Sequence, residues 1–454
     1  MPIESIDPAT GVRLQRFQPL SRPTINGKLT QAVRAFARWH VMPLAERARP
    51  MRRAAEILRE RARDYAELIT REMGKPITQS LAEVEKCAWT CEYFAAEAPA
   101  FLADELIATG ARSSAVQFVP LGVVLAVMPW NFPFWQVFRF AAPAMMAGNV
   151  GVLKHASNVP RCALAIEGVF RRAGFPAGVF TTLLIESKAV AAVIGDERIA
   201  AVTLTGSEAA GIEVATAAGR HLKKVVLELG GSDPFIVLRD ADLDRCCAVA
   251  AQARTINSGQ SCIAAKRFIV ERSIAEEFTR RFVEQMATLR VGDPAHEATQ
   301  VGPLARRDLV TDLQRQVRAS MRRGARLLLG GAPLKRPGYF YPPTVLSNVH
   351  RGMPAYDEEI FGPVASVLVA RDADDAIRLA NDSRFGLGAS IWSADHAHAE
   401  ALARRLEAGV VFINDIVKSD PRLPFGGVKK SGYGRELGAY GIKEFTNIKS
   451  VVIA

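Results

Sequence analysis

From residue 119 onward the sequence alternates short apolar runs with helical stretches, and that alternation limits the fold more than any other feature. Val123–Val127 has the length and composition of a buried strand and is stopped by "MPWNFP". A helical pattern follows to about Ala147. Then come a strand in "GVLK" (151–154), a helix over 161–173, a strand in "VFTTLLI" (179–185) and a helix over 188–195. "AAVTLTGS" (200–207) reads as a strand entering a glycine turn and another helix, and "KKVVLELGG" (223–231) as a further strand. Strands separated by helices imply βαβ units and a parallel sheet. Residues 242–256 read as a helix, and residues 263–420 repeat the alternation, so a second α/β domain is expected. Residues 28–108 read as helices. Met51, Ala55, Leu58, Ala62, Tyr65 and Ile69 recur at helical spacing, Gly74 with Pro76 marks a stop, and another helix covers Ser80–Phe94. The closing "NIKSVVIA" is an apolar strand in need of a partner edge, for which another subunit is a source.

The 454 residues have room for two or three domains. A net charge of +11 raises nucleic-acid binding, but the basic residues are scattered, with no sustained block and no interleaved aromatics. The charge is therefore read as solvated surface. The six cysteines show neither zinc-ligand spacing nor a dense disulfide framework, so no metal is expected and a reducing compartment fits. "MPIESIDPATG" lacks the basic and apolar regions of a signal peptide. The apolar run Val119–Met128, broken by Pro120, is far short of the ~18 residues of a membrane span. A cytoplasmic protein with no membrane or nucleic-acid partner is expected.

Several residues stand where chemistry is plausible, each with a structural alternative. Cys262, in "INSGQSCIAAKR" (256–267), sits among small and polar residues, whereas the other five cysteines lie in helical surroundings. It is either a structural thiol or a nucleophile, and with the seven histidines scattered, a Cys-His hydrolase remains open. Glu228, inside the apolar strand of "LELGGSDP", is either a salt-bridge partner or a general base. Asn131, between prolines in "PWNFP", either caps the next helix or donates to an oxyanion. Lys154 ends a strand where open sheets meet ligands, or it is surface. "TGSEAAG" (205–211) follows a strand and opens a helix, which suits a phosphate or a mere tight turn; it is not the GxGxxG fingerprint.

Together the fragments resemble the aldehyde dehydrogenase superfamily. "PWNFP" (129–133), the Leu-Lys pair ending at Lys154, "TGS" (205–207), "LELGG" (227–231), "GQSC" (259–262), "EEIFGPV" (358–364) and "PFGGVKKSG" (424–432) occur in the family's order over nearly the whole chain. The resemblance implies two Rossmann-like α/β domains with parallel sheets and a small β oligomerisation arm. Residues 1–100 and 120–229 would form the NAD(P)-binding domain and 230–420 the catalytic domain with the nucleophilic cysteine; 101–119 and 421–454 would bridge and oligomerise, giving a homodimer or homotetramer. It makes Cys262 the nucleophile of a thioester mechanism. Asn131 and the Cys262 backbone N–H form the oxyanion hole, and Glu228 activates the deacylating water. Trp130, Lys154, Gly206, Ser207, Leu229, Glu359 and Phe361 hold the dinucleotide.

Finer resemblance is to the succinate-semialdehyde dehydrogenase-like branch, which has an arginine at the place of Arg139, suited to a substrate carboxylate. The apolar neighbours Phe138 and Phe140 make an unpaired guanidinium costly there, and a substrate anion would meet that need. A second arginine of that branch falls on Ile256 in this chain; Arg254 is the nearest substitute, and Ser419 assists. Succinate semialdehyde is the expected substrate, with glutarate semialdehyde or an uncharged aldehyde as alternatives. NAD-preferring relatives often have a glutamate where this chain has Ser157. The small residue leaves room for a 2′-phosphate, with Lys154 and His155 supplying positive charge, so dual NAD and NADP use is expected. A non-redox thiol hydrolase and a catalytically silent member of the fold are the rival readings.

Overall fold

A computed structural model describes residues 3–454. Two parallel-rich sheets dominate. The first has six strands in the order Gly432–Tyr433, Lys224–Glu228, Ile199–Thr205, Val123–Met128, Val150–His155 and Phe180–Thr182. All its pairings are parallel except that of Gly432–Tyr433 with Lys224–Glu228. The central strands Val123–Met128 and Val150–His155 are buried almost throughout, because helices cover both faces; this is why they read as continuous apolar runs. The second sheet has seven strands, with Pro234–Val237 and Arg267–Glu271 at its centre and an antiparallel edge at Arg326–Leu329. A third, antiparallel sheet joins Thr446–Ile453, Ser113–Pro120 and Glu105–Leu106.

The alternation of strands and helices is as expected, with shifted boundaries. The long helical pattern before Gly74 is two helices, Leu44–Glu60 and Ala62–Met73, divided at Arg61. Gly74 closes the second with φ 81°, and a Cβ there would meet Pro303 at 2.7 Å, so the stop needs glycine for both reasons. The next helix runs over Ile77–Phe101, longer than Ser80–Phe94. Glu228 is the last residue of its strand, not an interior one. A carboxyl-terminal position is where ligands meet open α/β sheets.

Two expectations about the C-terminal residues change. The strand Thr446–Ile453 finds its partner within its own chain, along the whole of Ser113–Pro120, so the second subunit is not needed to pair it. The segment after 420 also does more than bridge. Val428–Lys429 pairs with Phe385–Gly386, and Gly432–Tyr433 completes the edge of the first sheet beside Glu228. Among the described residues no helix is long and apolar enough to cross a membrane.

One buried ion pair aims the helix that follows the Asn131 turn. Lys75 and Glu83 pair with essentially no exposure. Glu83 Oε1 also accepts the backbone N–H of Phe134 (2.8 Å) and Trp135 (3.0 Å), at the start of the helix Trp135–Met146. Those N–H groups have no partner inside the helix, and a carboxylate there suits the helix dipole. The Lys75 ammonium lies 3.7 Å from the centroid of the Phe132 ring, one residue past Asn131. Lys75→Met leaves Glu83 charged and unmatched, so a loss of about 3–5 kcal/mol is expected from urea unfolding. Adding Glu83→Gln should recover part of it; a single-variant loss under about 1 kcal/mol would mean that the pair does not anchor this corner.

Candidate active site

Two cavities meet at one side chain. The larger, about 440 Å³, lies at the carboxyl ends of the strands Val123–Met128, Val150–His155 and Ile199–Thr205. The smaller, about 200 Å³, lies between the helices Ile77–Phe101 and Trp135–Met146 and the segment 417–425. Cys262 lines both, and among the described residues no other side chain does.

The loop that presents Cys262 is held against its own preferences. It leaves the helix Leu243–Thr255 through Asn257 (φ 54°), Ser258 (φ 55°) and Gly259 (φ 76°), three successive left-handed residues. Non-glycine residues rarely adopt that region unless surrounding contacts impose it. The contacts are present. Lys266, fully buried, donates to the carbonyls of Ser261 (3.1 Å), Cys262 (2.8 Å) and Ala264 (3.0 Å), the three bonds an ammonium can give. The Gln79 side chain accepts the Asn257 N–H at 2.7 Å, and Asn257 donates to the Asn131 carbonyl at 2.7 Å. Asn131 Nδ2 donates to the Gln260 carbonyl at 3.1 Å, so the Asn131 turn and the Cys262 loop are stitched together, and Asn131 lines the larger cavity. The cysteine is half-buried, whereas the other five are buried. Burial pushes the Cys262 thiol up to about 12, against the pull of Arg139 and Lys266.

Arg254, expected to touch substrate, does not line either cavity. It is fully buried and gives Nη2 to the Gly259 carbonyl at 2.7 Å, so it supports the loop from behind. Ile256, where the resemblance places a second arginine, does line the smaller cavity.

Arg139 lines the smaller cavity, but its guanidinium is not unpaired. It forms an ion pair with Glu436, buried on both sides, donates to Thr205 Oγ1 at 3.3 Å and lies 4.9 Å from the Phe425 ring centroid. A substrate anion is therefore not needed to neutralise it. Glu228 is buried beside this pair and lines neither cavity. Burial raises its carboxyl well above the usual range; Arg139 opposes the shift and Glu436 adds to it.

The residues expected to hold a dinucleotide mostly gather in the larger cavity. Trp130, Lys154, Gly206 and Ser207 line it, as do Leu229, Glu359 and Phe361. Ser207 caps the helix Glu208–Gly219 through the Ala210 N–H at 3.3 Å. Lys154 is buried with no carboxylate partner among the described residues, and burial lowers its pKa. Glu359 Oε1 accepts the Gly231 N–H at 3.0 Å and lies 3.9 Å from Lys266, which links this cavity to the Cys262 loop. Trp130 and Phe361 meet edge to face at 5.7 Å. Ser157 is not in the lining, though its neighbours Lys154 and Ala156 are. His155 does not supply positive charge. It is buried, its Nε2 lies 2.8 Å from the Pro133 carbonyl, its Nδ1 accepts the Ala156 N–H, and burial takes its pKa down to about 4. Among the described residues no group of three or more His, Cys, Asp or Glu could hold a metal ion.

Sequence reading missed three basic residues here. Arg306 lines the larger cavity 5.4 Å from the Trp130 ring centroid, Lys86 lines the smaller one, and Lys266 clamps the loop. Only Lys266, four residues from Cys262, carried a local signal.

Residues 1–451 match the sequence profile described as the aldehyde dehydrogenase family. A Synechocystis protein named probable NADP(+) succinate-semialdehyde dehydrogenase is 54% identical over 454 residues, covering 100% of both chains. The NADP(+) succinate-semialdehyde dehydrogenase 1 of Mycobacterium tuberculosis is 50% identical over 457 residues, again covering 100% of both. The crystal structure of succinic semialdehyde dehydrogenase from Streptococcus pyogenes with NADP+ superposes with a TM-score of 0.98 at 39% identity, over 99% of each chain.

With its pKa raised to about 12, Cys262 is a thiol throughout the physiological range in the free protein. Its alkylation by iodoacetamide should therefore rise about tenfold per pH unit up to about pH 10, because the thiolate is the nucleophile. Peptide mass mapping, with Cys262→Ser as control, checks this; a plateau near neutral pH would mean that the thiolate is already stabilised.

Proposed function

Because the chain belongs to the aldehyde dehydrogenase family, we propose that it oxidises succinate semialdehyde, or a close ω-carboxy aldehyde, to the carboxylate with NADP or NAD. The observation that carries the proposal is that Cys262, alone among the described residues, lines both cavities, one suited to a dinucleotide and one to a small aldehyde.

The larger cavity fits the dinucleotide. Gly206 and Ser207 open the helix Glu208–Gly219, whose free N–H groups favour a phosphate. Lys154 offers an ammonium with no carboxylate of its own, and Glu359 a carboxylate for ribose hydroxyls. Trp130, Leu229 and Phe361 give apolar walls. Ser157, three residues after Lys154 and outside the cavity lining, is a small neutral residue that sets no carboxylate against a 2′-phosphate, which favours NADP. These residues would hold the dinucleotide, whose nicotinamide would supply the acceptor for the hydride that leaves the substrate carbon.

The other steps belong to the chain's own residues. The Cys262 thiol gives its proton to water, Sγ adds to the aldehyde carbon, and the oxyanion so formed meets Asn131 Nδ2 and the Cys262 N–H. After oxidation the acyl group is a thioester on Cys262. Water attacks it, Glu228 takes the proton, and the carboxylate leaves as the thiol is restored. Glu228 does so as the carboxylate, a form that burial disfavours and the adjacent Arg139 guanidinium favours.

On this reading residues 1–100 and 120–229 hold the dinucleotide, 230–420 present the thiol, and 101–119 with 421–454 bridge and oligomerise. The chain assembles as a homodimer or homotetramer through the sheet containing Thr446–Ile453, where Leu106, Ile448 and Val452 leave apolar surface exposed. Its free cysteines suit the cytoplasm.

A panel of succinate semialdehyde, glutarate semialdehyde and butanal, each with NADP and NAD, tests the function. Succinate semialdehyde should exceed butanal in kcat/KM by about one to two decades, the worth of a charge-assisted contact. Cys262→Ala should lose turnover with every aldehyde. A preference for butanal would remove the carboxylate from the substrate, and no reduced cofactor with any aldehyde would favour a thiol hydrolase. Deleting Lys449–Ala454 should give monomer or aggregate by light scattering; an unchanged oligomer would remove this strand from the interface.

A further inference from the structure

The smaller cavity contains a cation that no carboxylate neutralises. Lys86, half-buried on the helix Ile77–Phe101, forms no ion pair among the described residues. Its Nζ donates to Ser419 Oγ at 2.8 Å and lies 4.3 Å from the centroid of the Trp135 ring. The cavity's other cations are already matched. Arg139 is paired with Glu436, and the exposed Lys418 with Asp415 at 2.6 Å. Trp135, Val417 and Phe425 make much of the remaining wall apolar. The net charge that a ligand meets beside Cys262 is therefore set by Lys86.

The hydrogen-bond pattern adds direction. An ammonium has three protons, and Lys86 spends one on Ser419. Ser419 Oγ, accepting that proton, still has its own O–H to donate. The dyad thus offers N–H and O–H donors side by side, a match for the two oxygens of a carboxylate. We propose that Lys86, with Ser419, anchors the distal carboxylate of the substrate, and that Lys86 is the residue that sets the preference for anionic over uncharged aldehydes. This rests on the function proposed above and specifies the group that selects its substrate.

The anchor carries a pH signature. Burial first, then the charge of Arg139 on the facing helix, lowers Lys86 to about 8; Cys87, Asp420 and Glu83 act in the opposite direction. Of the nearby charges, Glu83 is held by Lys75, Asp420 by Arg422 and Lys418 by Asp415, which leaves Lys86 without a strong partner of its own. Its ammonium is present below about pH 8 and lost above it. Discrimination should follow, because a neutral amine gives a carboxylate no charge to meet.

The test is the ratio of kcat/KM for succinate semialdehyde to that for butanal, measured from about pH 6 to about pH 10. Effects common to both substrates, such as ionisation of Cys262, cancel in the ratio. In the unmodified enzyme the ratio should be high near neutrality and fall through about pH 8. Lys86→Gln should lower it by about ten- to a hundredfold at pH 7, through KM for the charged substrate, and make it flat with pH. Lys86→Arg should keep it high and remove the fall, since a guanidinium stays protonated. A Lys86→Gln ratio equal to that of the unmodified enzyme would overturn the assignment, as would a Lys86→Arg ratio that still falls through pH 8. A ratio near one in the unmodified enzyme would instead defeat the proposed substrate class, and this anchor with it.

Discussion

The site depends on a loop held in a conformation that its residues would not choose. Asn257, Ser258 and Gly259 turn through left-handed space to bring Cys262 to the junction of two cavities. Backbone strain of this kind costs about 1–3 kcal/mol per residue and persists only where neighbours over-determine it. The buried Lys266 ammonium, with all three protons on carbonyls of the loop, is the principal restraint. Without it those carbonyls would face a dry interior unpaired, and the Cys262 N–H would not be fixed relative to the Asn131 amide. Glu359, lining the larger cavity, sits 3.9 Å from the same ammonium, so the two halves of the site share one support.

Buried and half-buried charges around the site are met in different ways: Lys266 and Arg254 give their protons to backbone carbonyls of the Cys262 loop, and the rest divide between scaffold and cavity. Some are matched by another side chain and build the scaffold: Lys75 with Glu83 aims the helix after Asn131, and Arg139 with Glu436 fills the floor beside Glu228. Others have no carboxylate and open into a cavity: Lys154 in the larger, Lys86 in the smaller. A charge held out of water without a partner is costly, so its natural partner is an anion that visits. On this ground a phosphate is proposed at the Lys154 end of the site and a carboxylate at the Lys86 end. The distinction also explains why Arg139, the more conspicuous basic residue in the sequence, is already neutralised.

Much of this was legible in the sequence, and the misses have physical causes. The apolar runs at 123–127 and 151–154 reveal central strands because such strands are buried on both faces. Cys262 stands out because a loop that must be tight and open uses small residues, and Glu228 because a carboxylate beside an apolar strand is expensive. Pairing was not legible. Nothing local ties Arg139 to Glu436 across most of the chain, and the turn that brings the Gly259 carbonyl back onto Arg254, five residues away, rests on left-handed residues that sequence spacing does not reveal. His155 looked cationic beside Lys154, but its ring nitrogens are taken up by the backbone and burial holds it neutral. Lys86 carries no signal of its own within the helix expected over Ser80–Phe94, because its contact with Ser419 is made by the fold from far along the chain. The terminal strand reads as needing a partner edge, with a second subunit as one source, because its partner in the chain, Ser113–Pro120, is equally remote in sequence.

The central claim is that Cys262 carries the acyl group between the two cavities, and trapping that group tests it most directly. Glu228→Gln removes the carboxyl proposed to receive the water proton, so deacylation should stall. Intact-mass and peptide mass spectrometry after mixing this variant with succinate semialdehyde and NADP should find one succinyl group per chain, on the peptide containing Cys262. A succinyl group on another residue, or continued turnover with Cys262 unmodified, would contradict the account.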